Sequence, residues 1–550
     1  MAKWRLALVS ACVLACSGPV AGSRSSSASA ADELRGAIDA EIRQVWSREK
    51  IALPAPADDS TFLRRVSLDL TGIIPTADEA KAFLDDADPH KRAKLIDRLL
   101  ASPRYAIHQA DVWDLVFFGR NPPGEDSNKR EGFDRWLQQA FEQNLPYDAL
   151  ARAMLKAEGN SAEQGAPLYL LQYDRHPEDA AVAVSATFLG VQLQCARCHD
   201  HPYEPWKQND FYGLAAFFAR LVRVKAGQAD KLDKVFVAEM NTGEVKFTGK
   251  ASEAKAGKEG VPVKPKFLAG AVLEEPDLAA EFKDEKRPKE GEPPRPPKFS
   301  RKDKLAEWIT TDNRLFARAA VNRVWSQYLG RGLVHPVDNM SESNPPSHPA
   351  LLDRLASEFV SHHYDLKWLI RELVSSDTYQ LTMAGATTEA QPRWFQRARV
   401  RPLSAEELLE SWRRAAGYDA WAAASGKKIE GGRFHGVTWD YVRNFFGEPN
   451  NGVGDFQGGL QEQLYLDNGE LNRLMVQDKG SFLESLTKAD EPLDARIERL
   501  FLATLSRRPS TEERSRFAEQ LTVKDPQKLP EAVREAVWTL LTCSEFRFNH

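Results

Sequence analysis

Residues 304–332 read KLAEWITTDNRLFARAAVNRVWSQYLGRG and set the character of the fold. Leu305, Trp308 and Ile309, then Phe316, Ala320, Val324, Trp325 and Leu329, recur at the three-and-four spacing that lays one apolar stripe along a helix. Gly330 and Gly332 supply the stop, because glycine closes a helix in the left-handed region without a steric penalty. Downstream the pattern repeats. Leu351, Leu352, Leu355 and Phe359 form one stripe, and Leu366, Trp368, Leu369, Ile370 and Leu373 form the next. A further helix over Pro402 to Arg414 takes Ser404 as its cap, whereas the glycine-rich residues 417–470 show no clear period.

Upstream the reading is also helical. Ile38, Ile42, Val45 and Trp46 share a stripe, and Pro75-Thr76-Ala77-Asp78-Glu79 opens a helix before Ala82, Phe83 and Leu84. Lys91 to Ala101 offers Leu95, Ile96, Leu99 and Leu100 and stops before Pro103, while Phe133 to Lys156 supplies two more amphipathic pieces. The β-favouring runs Val235 to Ala238 and Val245 to Phe247, joined through Asn241-Thr242-Gly243-Glu244, predict a hairpin. Residues 249–304, crowded with Lys, Glu, Pro and Gly, read as a linker broken by an apolar patch at Phe267 to Val272. From Leu493 the helix, Pro-led turn and capped helix echo the stretch Phe62 to Thr76, which is common helix punctuation more than an internal duplication. The expected fold class is mainly α: multi-domain helical bundles with a small β-hairpin insertion and a charged Pro-rich linker.

Composition bounds the function. The 550 residues are enough for about three domains. With 42% hydrophobic and 28% charged residues, neither disorder nor membrane dominates. The 74 basic and 79 acidic side chains leave a net charge of -5, which gives no electrostatic reason to expect a phosphate backbone as partner, so nucleic acid is not an expected partner. Lys3 and Arg5 precede an apolar run from Leu6 to Ala15 that is shorter than the roughly 18 to 20 residues needed to span a bilayer, so residues 1–30 read as an export signal and not a transmembrane helix. Cleavage at Val20-Ala21-Gly22 or Ala28-Ser29-Ala30 would release the chain to the periplasm or cell surface, and lipidation of Cys12 or Cys16 would anchor it. Outside the signal only Cys195, Cys198 and Cys543 remain of five cysteines, too few for a disulfide framework. Cys543, among Trp538, Leu540, Leu541 and Phe546, reads as a buried apolar thiol.

The chemistry concentrates at Cys195-Ala196-Arg197-Cys198-His199. At this spacing two thiols reach the two vinyl groups of one porphyrin while the adjacent imidazole lies beneath the iron, which is the attachment signature of covalent haem c. Cys195 and Cys198 are then thioether anchors, and His199 is the proximal iron ligand. His176 or His108 are the first candidates for a distal ligand, with Met240 or Met340 behind them; His201, two residues along, is placed to orient a neighbour. Two other readings stay open: zinc held by the cysteines with His199 or His201, and a thioredoxin-like dithiol, although no βαβ alternation surrounds the motif. Tyr203, Trp206, Phe211, Tyr212, Phe217 and Phe218 supply aromatic area suited to a porphyrin edge or to a core.

Phe188-Leu189-Gly190, the run from Cys195 to Pro202, Asp210-Phe211-Tyr212 and Ala216-Phe217-Phe218 together resemble the planctomycete cytochrome-type domain of cell-surface proteins. Phe62-Leu63-Arg64-Arg65-Val66-Ser67-Leu68-Asp69-Leu70-Thr71-Gly72 resembles the start of that domain. Asn313-Arg314-Leu315-Phe316-Ala317-Arg318, Val321-Asn322-Arg323-Val324-Trp325, the run Gly330 to Pro336 and the run Asn344 to Pro349 resemble its usual partner domain of unknown function. The resemblance implies an exported, haem-associated protein. The expected organisation is a signal at 1–30, a cytochrome-c-like helical domain at 32–225, the hairpin and linker at 226–303 and a helical partner domain at 304–550.

Two functions follow. The first is a single-haem redox protein of the periplasm or cell surface, passing electrons to a redox partner protein or oxidising a small-molecule substrate. The second is a non-catalytic surface protein, carbohydrate-associated, with structural haem or zinc. No His-Glu-x-x-His, Gly-x-Ser-x-Gly or phosphate loop is present, and Gly452-Val453-Gly454 does not complete a dinucleotide motif. Asn313, Asn322, Arg323, Asp338 and the run Asn344 to His348 form a polar series that reads first as helix capping and turn chemistry.

Overall fold

The computed structural model describes residues 26–119, 130–160, 165–229, 232–249, 259–268, 270–279, 285–383, 391–418, 482–488 and 491–550, together with Phe282, Trp421, Ala422 and Val442. Positions 1–25 of the expected export signal, and most of the glycine-rich stretch with Gly452-Val453-Gly454, lie outside them. Among the described residues the architecture is mainly helical, with three small antiparallel sheets of two or three strands. Among the described residues no helix is long and apolar enough to cross a membrane.

The helix Asp59–Thr71 lies at the centre. Asp58 caps its start by accepting the Thr61 N–H at 2.7 Å, and Gly72, at φ 66°, closes it in the left-handed region. Every residue from Phe62 to Thr71 is buried, so this helix is enclosed on all sides. Phe62, Leu63, Val66 and Leu70 enter the larger core, which also takes Ile38 and Trp46, Trp113 and Phe133, and Phe316, Trp325, Leu352 and Phe359. One core therefore runs from the first helices through those on the far side of residues 226–303, and Tyr147 stacks on Phe316 with centroids 5.1 Å apart. Leu68 and Ile74 point instead into a second core built from Leu403 to Phe546. Half-buried Cys543 packs against that core, its Sγ 3.1 Å from the Leu540 carbonyl.

The expected hairpin is redrawn. Leu232–Glu239 pairs antiparallel with Leu221–Ala229 and, on its other edge, with Gly159–Asn160, while Val245–Phe247 pairs with Val261–Val263. The Asn241-Gly243 stretch is not a hairpin turn because Asn241 is committed elsewhere: its N–H donates to Glu285 at 2.8 Å and its Oδ1 accepts the Lys298 N–H at 2.7 Å. Nor is the Lys- and Pro-rich segment loose where it is described. Leu268 is buried, Gly291 donates to the Lys225 carbonyl at 2.7 Å, and Glu275 binds Arg301 at 2.6 Å and Arg220 at 2.9 Å. Charge pairing does there what apolar burial does in the cores. Lastly Arg401–Pro402 pairs with Phe548–Asn549, which brings the C-terminus beside the central helix.

Candidate functional site

The helix Pro177–Val184 runs into one π-helical turn, Ser185–Leu189, and stops at Gly190, φ 66°. A side chain cannot be added there without strain: a Cβ would meet Met340 Cγ at 3.1 Å and Ala319 Cβ at 3.3 Å. After Gly190 the chain forms the short 3₁₀ turn Gln194–Arg197, which carries the cysteines. Ala196 is buried and donates to the Leu193 carbonyl at 3.0 Å, and this one inward residue presses Cys195, Cys198 and His199 outward. Both thiols are free and exposed, as is His199. The turn is pinned by Arg197: its guanidinium donates to Asp179 at 2.8 Å and its carbonyl accepts from Tyr212 Oη at 3.2 Å.

His199 Nδ1 lies 2.7 Å from the Asp200 carbonyl oxygen. A carbonyl only accepts, so Nδ1 carries the proton and Nε2 keeps its lone pair for a ligand. His201 is turned the other way. Its Nδ1 accepts the N–H groups of Tyr203 at 3.3 Å and Glu204 at 3.1 Å, so it holds the loop that follows the motif. Two exposed thiols and one imidazole with an available Nε2 are the donor set that covalent haem requires. Among the described residues no three His, Cys, Asp or Glu side chains converge on one metal position, so a zinc site of Cys195, Cys198 and His199 or His201 is not preformed. The aromatics after the motif divide: Phe211, Phe217 and Phe218 are buried in the core, Phe217 against Phe267, Trp206 and Tyr212 are half-buried against it, Tyr212 on Phe247, and Tyr203 is exposed.

The candidate distal ligands separate. His176 is exposed on the motif's side of the fold, 3.8 Å from Asp179, the same carboxylate that holds Arg197. Met340 packs over Gly190 and donates its N–H to the Gly190 carbonyl at 2.7 Å. Met240 packs on Val222, Val224 and Ala238. His108 belongs to another constellation: it is buried against Gly72, with Nε2 3.8 Å from Glu407, and touches no residue of the motif.

The polar series divides as well. Asn313 caps the helix Arg314–Leu329, and Asn322 clamps Val334 by exchanging two hydrogen bonds of 2.9 Å, so turn chemistry accounts for both. The loop after that clamp, however, grips the motif segment on both flanks. Asp338 accepts from Gln192 at 3.0 Å, and Ser343 donates to Glu204 at 2.7 Å. Burial pushes the Glu204 carboxyl up, but the hydroxyls of Ser343 and Ser341 hold it below the usual range.

A second cluster went unread in the sequence. Buried Asp69 accepts from Tyr379 Oη at 2.7 Å, Arg401 at 2.8 Å and Asn549 at 2.7 Å; burial raises its pKa despite Arg401. Arg401 also forks onto Glu407 with two bonds of 2.7 Å, which holds that carboxyl low against its burial. No spacing announces this set, because its members come from distant segments.

Fold and site thus define a mainly helical protein that presents a Cys-x-x-Cys-His turn to solvent. Residues 37–223 match the family model PSCyt2, described as a protein of unknown function (DUF1549), and residues 301–431 match PSD1, described as a protein of unknown function (DUF1553). The chain carries this pair in that order. No curated protein and no solved structure matches it.

Proposed function

We propose that the chain is an exported single-haem protein of the c type, acting in electron transfer or haem-dependent oxidation at the cell surface or in the periplasm. The observation that carries this reading is the outward Cys195-x-x-Cys198-His199 turn, with both thiols free and the His199 tautomer fixed by the Asp200 carbonyl. Cys195 and Cys198 would supply two thioether sulfurs, and His199 Nε2 the proximal ligand. Bound haem offers one-electron exchange when its sixth position is filled and substrate chemistry when it is open.

The rest of the work falls to the chain. The Asp200 carbonyl orients the imidazole, Asp179 and Tyr212 hold the turn, and the loop at Asp338 to Ser343 braces both flanks. The PSCyt2 name supports a cytochrome-like assignment for residues 37–223.

The full chain, produced with a c-type maturation system, tests the proposal. We expect one covalent haem by mass and by haemochrome absorbance, lost in Cys195→Ser with Cys198→Ser, and an altered axial spectrum in His199→Ala. A colourless chain with the mass of its amino acids alone would sink it.

A further inference from the structure

Between the central helix, the helix Pro103–Phe118, the helix Arg314–Leu329 and the strand at Arg401 lies a cavity of about 700 Å³. That size suits a small organic molecule. Its lining is unbalanced in charge. Asp69 and Glu407 are both answered by Arg401, and Asp111 and Glu406 are engaged. Arg65, Arg323, Arg397 and Arg399 also line the cavity, and none of the four forms an ion pair with a described carboxylate.

The donors are in excess too. Arg65 Nη2, Arg323 Nε and Gln327 Nε2 are buried with no hydrogen-bond partner among the described residues, and Arg65 as a whole is almost fully buried. A cation in that position is costly unless something accepts its hydrogen bonds. At the mouth the charges repel one another. Arg399 lies along Gly330, whose carbonyl it binds at 2.7 Å, and burial together with Arg399 and Arg393 depresses the neighbouring Arg331. Burial and the same arginines, Arg331 and Arg399, depress His335 against the pull of Asp338.

We propose that this cavity binds an organic oxyanion, a small molecule bearing a carboxylate, sulfate ester or phosphate ester, with Arg397 and Arg399 holding the charged group and Arg65, Arg323 and Gln327 donating to oxygens deeper in. Guanidinium forks match such groups two bonds at a time. The inference does not depend on haem at Cys195 and Cys198.

The test is titration calorimetry on the full chain with D-glucuronate, D-glucose 6-sulfate, D-glucose 6-phosphate and neutral D-glucose, at matched ionic strength. At least one charged probe should bind saturably while glucose does not, and the probe that binds names the oxyanion. Arg397→Ala and Arg399→Ala, both at exposed positions, should each weaken it by about tenfold or more, and Arg399→Lys by less. Thermal midpoints of the unliganded variants report that each still folds, and Cys195→Ser with Cys198→Ser should bind the probe like the parent. Absence of saturable binding across the panel, or binding by the two alanine variants as tight as that of the parent, overturns the proposal.

Discussion

At the scale of the residue, His108 shows how burial decides charge. It is buried where the central helix ends, so close to Gly72 that a Cβ there would lie 2.5 Å from its Nδ1. Burial depresses its pKa from 6.5 to about 4, even though Glu407 pulls the other way. His348, whose pKa is also lowered to about 4 by burial and then by Arg48, behaves alike. In both cases the unfolded chain takes up a proton near pH 6.5 that the folded chain refuses until about pH 4. Their contribution to stability is therefore complete above pH 6.5, falls as the pH drops through that window, and levels off below it. Urea unfolding should show stability falling between pH 6.5 and 5, by roughly 2 kcal/mol for each such histidine. His108→Gln should remove its share of the slope, whatever it does to stability at pH 7. A slope in His108→Gln equal to that of the parent would show that His108 titrates normally in the folded protein.

At the scale of the element, the clamp by Asn322 joins a helix to the loop that braces the motif. The fully buried amide answers both backbone groups of Val334 at 2.9 Å and leans on the Val337 carbonyl at 3.4 Å. Asn322→Ala leaves those groups unpaired, so the unfolding free energy should drop by about 2 to 4 kcal/mol. Because Met340 and Ser343 follow the clamp, amide exchange should also rise at Met340, whose N–H donates to the Gly190 carbonyl, and at Glu204 in the loop that Ser343 holds. Unchanged exchange there would mean the loop is held without it. The helices were legible in the sequence because a stripe such as Leu305 to Leu329 and a cap such as Ser404 are local signals that burial reinforces. The strand partners were not. Asn241 and Gly243 look like a turn, yet Asn241 spends its hydrogen bonds on Glu285 and Lys298, a choice no neighbouring residue records. The Cys195-x-x-Cys198-His199 spacing is a local signal of the same kind, and the structure places its three side chains exposed on and just after one short turn. The arginine-lined cavity was hidden because Asp69, His108, Arg323, Arg399 and Glu407 meet only in the folded chain.

At the scale of the molecule, the central helix decides whether the two cores behave as one. Arg64 and Arg65 are both buried and serve as donors to carbonyls 314 to 485 residues away. Arg64 reaches Thr504 at 3.1 Å and Phe546 at 2.8 Å, both beside the second core, while Arg65 holds Tyr379, Leu381 and His550. Burial lowers the Arg64 pKa to about 10, which still leaves it charged at neutral pH. Arg64→Met fills similar volume but leaves the Thr504 and Phe546 carbonyls without their donor, a loss on the order of 3 kcal/mol. Because Leu68 enters the second core from a helix whose Phe62, Leu63 and Val66 belong to the first, that loss should be felt by both. Circular dichroism and tryptophan fluorescence followed through urea should give coincident transitions in parent and variant, the variant's displaced as a whole. Two separable transitions, of which Arg64→Met moves only the one reporting on residues 403–546, would show instead that the cores unfold independently and that the central helix merely touches them.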